Sequence, residues 1–512
     1  MRKRPLKINI AAIAIFIYQS NRMSNADDAS CLKVRFRRRH IAHIGHPRFR
    51  HFLFMLIAKY KFYFLSLVSF CLIFCGDAVA QKRTSFRVGV FEADVTPPIG
   101  SPVAYAITRS VVDPLSARGL LVFIEGQQPV VLCAVDWIGI ANEGQDLWKK
   151  ELAAAAHTTP DRVSVHTLHQ HDGVECDITM EKIMNEYGIK DTPFDSAFQR
   201  RAIHNVADAV AAAAKNAQEI THIGFGQAKV YKVASNRRIL GADGKVEYSR
   251  WSSGNDSIVM AKPEGLVGPW LKCLSLWNNN KPVAVVTYYA THPQSYYGKG
   301  DVTCEFVGRA RNNREKTMNG VPHIHFNGAG GNVTSGKYND GTDSLRTILT
   351  KRMEVAMQQA WDNTKKSAVT WKPVWKTELV VLPVATNSPE EQLRATLSDT
   401  GAKHGDVIGA AERLAWLERS KEGVKTSVSS LRLGKYWMLN LPGELFVEYQ
   451  LAAQKMKPGE EVCTAAYEDY GPGYIGTAIA YDQGGYETSA PSSGVTPEAE
   501  AVLMDAIKKV LK

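Results

Sequence analysis

The chain has 512 residues, 45% of them apolar and 22% charged, with a formal charge of +11. That composition is too apolar for a disordered chain and too poor in Gly and Pro for a fibre. Of its 62 basic and 51 acidic residues, 14 and 3 fall in the first 80, which leaves 48 of each from Gln81 onward; a neutral body lacks the electrostatic footprint that a phosphate backbone demands, and no nucleic-acid partner is expected.

In chain order, residues 1–54 combine Arg37-Arg38-Arg39 with one apolar stretch over 8–18 and suit no domain; they are expected to be an upstream extension or a disordered leader. Met55 then opens a secretory signal peptide over 55–80: Lys59 and Lys61 make its basic start, 62–75 its largely apolar run, and Ala78-Val79-Ala80 its small-residue cleavage site. The run is shorter than the roughly 18 apolar residues of a spanning helix, so export to the periplasm or outside is expected in place of a permanent anchor. Over 81–512 no linker, charge block or repeat divides the chain, and one large domain is expected. The cysteines of that stretch, Cys133, Cys176, Cys273, Cys304 and Cys463, are dispersed and odd in number. They allow one or two disulfides but hold no CxxC pair for a thiolate zinc site.

Apolar, β-branched runs bounded by turn residues predict strands at 87–91, 120–124, 130–135, 162–166, 283–289, 323–326, 379–383 and 436–441. Apolar residues three and four apart predict helices at 194–217, 343–365 and 390–419, the last broken near Gly401. Thr496 and Pro497 read as N-cap and first position of a closing helix over 498–511. Strands interleaved with helices in this way predict an α/β or α+β domain, mixed β-sheets covered by helices.

The densest set of potential ligands follows the strand at 162–166: His166-Thr167-Leu168-His169-Gln170-His171-Asp172-Gly173. Residues two apart on an extended chain share a face, so His169 and His171 point into one site while His166 lies elsewhere or beneath it. Neutral imidazole is the commonest zinc ligand, but the pair alone is equally well explained by ordinary hydrogen-bonded histidines. Four further segments support a site. Thr291-His292-Pro293 follows the strand at 283–289, Gly330-Gly331-Asn332-Val333-Thr334 the strand at 323–326, and Pro442-Gly443-Glu444 the strand at 436–441, while 474–487 is rich in tyrosine. Histidine, acid and glycine-rich loop at strand ends is the layout of an α/β active site.

Together these segments resemble the neutral ceramidases, zinc-dependent amidases that cleave the N-acyl bond of ceramide. Val88-Gly89-Val90-Phe91-Glu92-Ala93-Asp94-Val95-Thr96 is similar to the start of that family's catalytic domain. His169-Gln170-His171-Asp172-Gly173 matches its His-Thr-His-Ser-Gly, Asn236-Arg237-Arg238 its Asn-Arg-Ser, and Pro442-Gly443-Glu444 its Pro-Gly-Glu. The likeness runs from about Phe86 to about Tyr486 and lacks the immunoglobulin-like C-terminal domain of full ceramidases. It implies a single metallohydrolase domain that binds zinc through His169, His292, Glu444 and Tyr474. It further implies His171 as general base for a zinc-activated water or as orienter of a ligand, Tyr486 as a donor to the oxyanion, and Arg237 as a holder of substrate polar groups.

Two positions depart from the pattern. The family loop Gly-Asp-Val-Ser-Pro-Asn reads Gly331-Asn332-Val333-Thr334-Ser335-Gly336, so Thr334 takes the place of the catalytic serine and Asn332, expected to touch substrate, that of the aspartate. Ser335 is a second hydroxyl nearby. Asp172 replaces a small residue beside the histidine pair and either adds a supporting carboxylate or narrows the pocket. The expected activity is that of an exported zinc hydrolase of an N-acyl amide, either ceramide, giving sphingoid base and fatty acid, or another acylated amide or ester such as an amino-lipid or acyl sugar. A catalytically silent zinc-containing binding protein is the alternative from a different class. The partner is then a small lipid or acyl amide, with peripheral membrane contact through exposed aromatics an open option. N-terminal sequencing of the exported product is expected to start at Gln81; a product beginning upstream of Met55, or one retained in membranes, contradicts the signal-peptide assignment.

Overall fold

The computed structural model describes residues 86–512, so the extension at 1–54 and the signal peptide at 55–80 lie outside the described residues. Three mixed sheets carry the domain. The first is built from β1 (Phe86–Asp94), β2 (Ser116–Phe123), β3 (Val130–Val135), β4 (Val163–Thr167) and β5 (Gln218–Ile220), in the order β5-β1-β2-β3-β4. The second holds β6 (His222–Lys229), β7 (Trp270–Asn278), β8 (Lys281–Tyr289), β9 (His323–Asn327) and β10 (Lys365–Ala368), in the order β9-β8-β7-β6-β10. The third runs β11 (Val374–Val380), β12 (Thr426–Leu433), β13 (Tyr436–Asn440) and β14 (Glu461–Ala465) in sequence order. The longer helices are α1 (Asn142–Ala156), α2 (Ile178–Glu186), α3 (Ser196–Lys215), α4 (Glu305–Thr317), α5 (Asp343–Asp362), α6 (Glu390–Ser398), α7 (His404–Lys421), α8 (Val447–Lys455) and α9 (Ala499–Val510).

All three sheets share a plan. Antiparallel pairing gives way at one place to a single parallel pair: β3 with β4, β8 with β9, β13 with β14. Parallel neighbours need a crossover, and α1, α4 and α8 supply it in turn. Ligands in α/β folds gather outside the carboxyl ends of such strands. The segments leaving these ends carry His169, His292, Gly330, Glu444 and Tyr467.

Alternation along the strands sets the layers. Leu120, Val122, Val130, Leu132 and Ala134 of β2 and β3 face the second sheet, in one core with Leu274, Leu276 and Val286. Leu121, Val131, Cys133 and Val135 point the other way, onto Ala202, Ile203, Val206 and Val210 of α3. Helices α4 and α5 cover the far side of the second sheet, and α9 covers the third. The five cysteines are all buried and unpaired, so the disulfides that the sequence allows do not form. No helix among the described residues is long and apolar enough to cross a membrane.

The eight predicted strands are all present, though the one expected at 379–383 is shifted to Val374–Val380. The helix break near Gly401 falls between α6 and α7, and the closing helix starts at Ala499. The strands β5, β6, β7, β10, β12 and β14 and the helices α1, α2, α4 and α8 go beyond the predicted set. In β6 the glycines conceal the strand: a Cβ on Gly226 would lie 2.1 Å from the Ala360 carbonyl oxygen, where α5 crosses the sheet. Gly226→Ala is therefore expected to destabilise the domain by about 1–3 kcal/mol in a denaturant titration, since backbone must shift to admit the methyl; an unchanged midpoint would contradict this packing.

Candidate metal centre

His169 leaves β4 through a left-handed turn, φ 63°, instead of continuing the extended strand. The expectation that His169 and His171 share a site holds, with ring centroids 4.9 Å apart, but a turn and not strand alternation brings them together. His292 follows β8 and Glu444 follows β13. The residue pair Glu444–Leu445 runs parallel to Tyr474–Ile475, which sets Glu444 and Tyr474 side by side.

The donor atoms converge. His169 Nε2 lies 3.2 Å from His292 Nε2 and 3.3 Å from Glu444 Oε2, and His292 Nε2 lies 3.1 Å from the same oxygen. Each imidazole is oriented from behind by a carbonyl: His169 Nδ1 donates to Ile138 O at 2.7 Å and His292 Nδ1 to Gly330 O at 2.8 Å. With Nδ1–H so used, each neutral ring turns its Nε2 lone pair inward. Burial holds His292 below its ordinary pKa, so it stays neutral. Glu444 Oε2, facing the two lone pairs, is buried without a hydrogen-bond donor among the described residues.

Three buried acceptors in mutual contact repel one another unless a cation or protons sit between them. Edges of 3.1–3.3 Å form the face of a tetrahedron whose centre is about 2.0 Å from each donor, the length of zinc–nitrogen and zinc–oxygen bonds. The residues present thus fit a tetrahedral divalent metal. The Tyr474 hydroxyl reaches the edge of this set, 3.5 Å from His292 Nε2, and accepts from Arg237 Nη1 at 2.9 Å. His171 completes a cluster of three imidazoles whose nearest ligand atoms lie within 4.8 Å of one another.

Around the cluster, His171 is pushed well below the ordinary histidine range by burial and by the two neighbouring imidazoles. Its Nδ1 contacts the Gln294 amide at 3.0 Å, and its buried Nε2 has no hydrogen-bond partner among the described residues. Tyr105 stacks on its ring at 5.5 Å, with Tyr297 beside it at 5.1 Å. Arg237 is buried, not at the surface. Its Nη1 serves Tyr474 and its Nε lies 3.2 Å from Glu487, while Trp251, Tyr474 and Tyr486 present their rings to the guanidinium. Tyr486 is half-exposed at the mouth, edge-on to Trp251 and to Tyr474.

Other expected residues have different duties. Asn332 spends both ends of its amide on the start of α8, accepting from Val447 N and donating to Glu448 at 2.9 Å, so it holds the loop and not a substrate. The Thr334 hydroxyl donates to Trp251 O at 3.3 Å, and Ser335 Oγ is buried without a partner among the described residues. Asp172 supports no ligand histidine. It accepts from Gly298 N and Arg346, and burial lifts its carboxyl to about 6. His166 lies beneath the site, bound to Ser164 Oγ and Ala466 O. Tyr467, stacked on His169 at 4.6 Å in a left-handed turn of its own, is a site residue that sequence reasoning misses. It follows β14, and recognising that strand would have pointed to it.

No family model matches the chain, and none of the curated proteins matches its sequence. Solved structures do, two ceramidases among them. A ceramidase complexed with C2 superposes with a TM-score of 0.60 at 14% identity, and a neutral ceramidase from Pseudomonas aeruginosa with a TM-score of 0.60 at 15%. Both matches cover 83% of this chain and 74% of the other. The fold is that of the neutral ceramidases. At such identity the comparison speaks for the fold alone.

Zinc is expected to raise the thermal stability of the wild-type protein, by about 2.7 kcal/mol at a hundredfold excess over Kd. His292→Ala and Glu444→Gln should lose that increment and Thr334→Ala keep it; loss of zinc binding in Thr334→Ala would contradict the separation of that hydroxyl from the donor set. Gly331→Ala tests the loop behind the site. Its Cβ would stand 2.3 Å from Glu444 O, so zinc affinity should fall while the rest of the fold persists; wild-type affinity would show that Glu444 is not held there.

Proposed function

We infer that the chain is a zinc-dependent hydrolase of N-acyl amides. The observation that carries this is the triangle of lone-pair donors from His169, His292 and Glu444, framed by groups suited to acyl transfer. Zinc held by these residues with Tyr474 would supply Lewis acidity, polarising an amide carbonyl and acidifying a water. Arg237 fixes the Tyr474 hydroxyl and keeps it at the donor set. His171 moves a proton at Nε2, the imidazole atom that no protein group among the described residues occupies. Tyr486, half-exposed at the mouth, donates to the oxygen on which negative charge develops. Tyr105, Tyr297 and Trp251 wall the site against bulk water.

Ceramide is one such amide, and the two superposed ceramidases favour a lipid substrate. The engagement of Thr334 with Trp251 differs from the role of a free serine nucleophile, and a wider class of acyl amides fits the same donor set. Export through the signal peptide at 55–80 belongs to the same proposal. Purified protein spanning 81–512 is expected to hydrolyse members of a panel of ceramides, N-acyl amino-lipids, N-acyl amino acids and acylated sugars, with His292→Ala at background. Tyr486→Phe should lower kcat by about 100-fold with zinc retained. Zinc-loaded protein inert across the panel would contradict the assignment.

A further inference from the structure

Next to the donor set lies a small cavity of about 90 Å³, lined in part by Glu444 and Tyr474. It adjoins a larger groove of about 490 Å³ whose walls are mostly apolar, among them Val103, Ile107 and Ile138. Glu175, Glu412 and Tyr470 line both and form the junction. Neither Glu175, only 8% exposed, nor Glu412 has a hydrogen bond or ion pair to its carboxylate among the described residues. A second, independent acceptor lies in the small cavity. Asn142, 2% exposed, spends Nδ2 on Asp177 at 2.7 Å and leaves Oδ1 buried with no donor. One guanidinium, Arg413, also lines the small cavity, its Nε and Nη1 buried without partners among the described residues, against the carboxyls of Glu175, Asp177, Glu412 and Glu444. The groove adds Asp191 and His404 and contains no lysine or arginine.

Unsatisfied acceptors, and carboxyls that outnumber the single guanidinium at the foot of an apolar groove, suit a ligand that donates hydrogen bonds, carries positive charge and trails a hydrocarbon. We propose that Glu175, Glu412 and Asn142 form a subsite for the primary ammonium of a chain-bearing amine, with its alkyl chain in the adjoining groove. The ammonium has three donors for these three side chains. Its source is either the amine released by amide hydrolysis at the neighbouring donor set or an amino group already present on the substrate. Only that attribution rests on the amidase assignment; the binding itself does not.

The test is calorimetric titration of the zinc-loaded full-length protein with three eight-carbon probes: octylamine, octanol and octanoate. Octylamine is expected to bind at least tenfold more tightly than octanol, with octanoate weakest. Glu175→Gln/Glu412→Gln should bring octylamine to the level of octanol and leave octanol unchanged; the half-buried Glu412→Gln alone serves if the double variant fails to fold, and should remove part of the preference. Equal affinities for the three probes, a preference that survives the substitutions, or calcium saturation that abolishes octylamine binding would overturn the proposal. Inhibition by octylamine of the hydrolysis of a neutral N-acyl amide identifies the released amine as the source. Faster turnover of an amide with a second amino group identifies the substrate. Charge-selective binding without any hydrolysis supports the subsite and overturns the amidase assignment instead.

Discussion

The structure turns on the mutual repulsion of three buried lone pairs. His169 Nε2, His292 Nε2 and Glu444 Oε2 meet at 3.1–3.3 Å, with both imidazole protons drawn away to backbone carbonyls. Nothing in folding favours such a contact by itself, since a buried charge without a partner is costly. It is held by independent parts of the fold: β4 and the β3 end for His169, β8 and the loop after β9 for His292, β13 for Glu444. Left-handed turns at His169 and Tyr467 add strain on the order of 1–3 kcal/mol each. Strain and repulsion gathered at one point, over-determined by three sheets, are characteristic of a site built for a cation.

The same plan explains where the walls come from. Each parallel pair sends two chain ends to one side of its sheet, so the β3 and β4 ends supply Ile138 and His169, the β8 and β9 ends His292 and Gly330, and the β13 and β14 ends Glu444 and Tyr467. The excursions over 98–112 and 238–270 then bring Tyr105 onto His171 and Trp251 against Tyr486. Arg250, buried and bonded to the carbonyls of Asn236, Val259, Lys262 and Pro263, pins the second of these as a fixed wall.

Much of this was legible in the sequence, and the gaps have physical causes. Runs such as Val130–Val135, buried on both faces, announce strands by composition alone. β12 does not, because Ser427, Ser429 and Ser430 put hydroxyls where a strand usually shows β-branched carbon, and these are satisfied internally, as by Val510 O for Ser430. The start of α1 is hidden because Asn142 enters it from a left-handed conformation with no side-chain cap. His169, His292 and Glu444 stood out as ligand types at strand ends, while Tyr474 was marked as a ligand only by the resemblance to the neutral ceramidases. Asn332 and Asp172 misled, since an amide or carboxylate close to a site in sequence is as readily used to fasten a loop, and only the direction of the side chain decides. Tyr467 and Gln294 carried no signal beyond their neighbours. Their roles depend on stacking and on a contact across more than a hundred residues of sequence.

The most direct test of the metal centre is diffraction from crystals of the purified protein, recorded on both sides of the zinc absorption edge. A single anomalous peak within bonding distance of His169 Nε2, His292 Nε2 and the Glu444 carboxylate is the predicted result. No peak after soaking in zinc, with the two imidazoles turned apart or hydrogen-bonded to Glu444 as imidazolium, would contradict it.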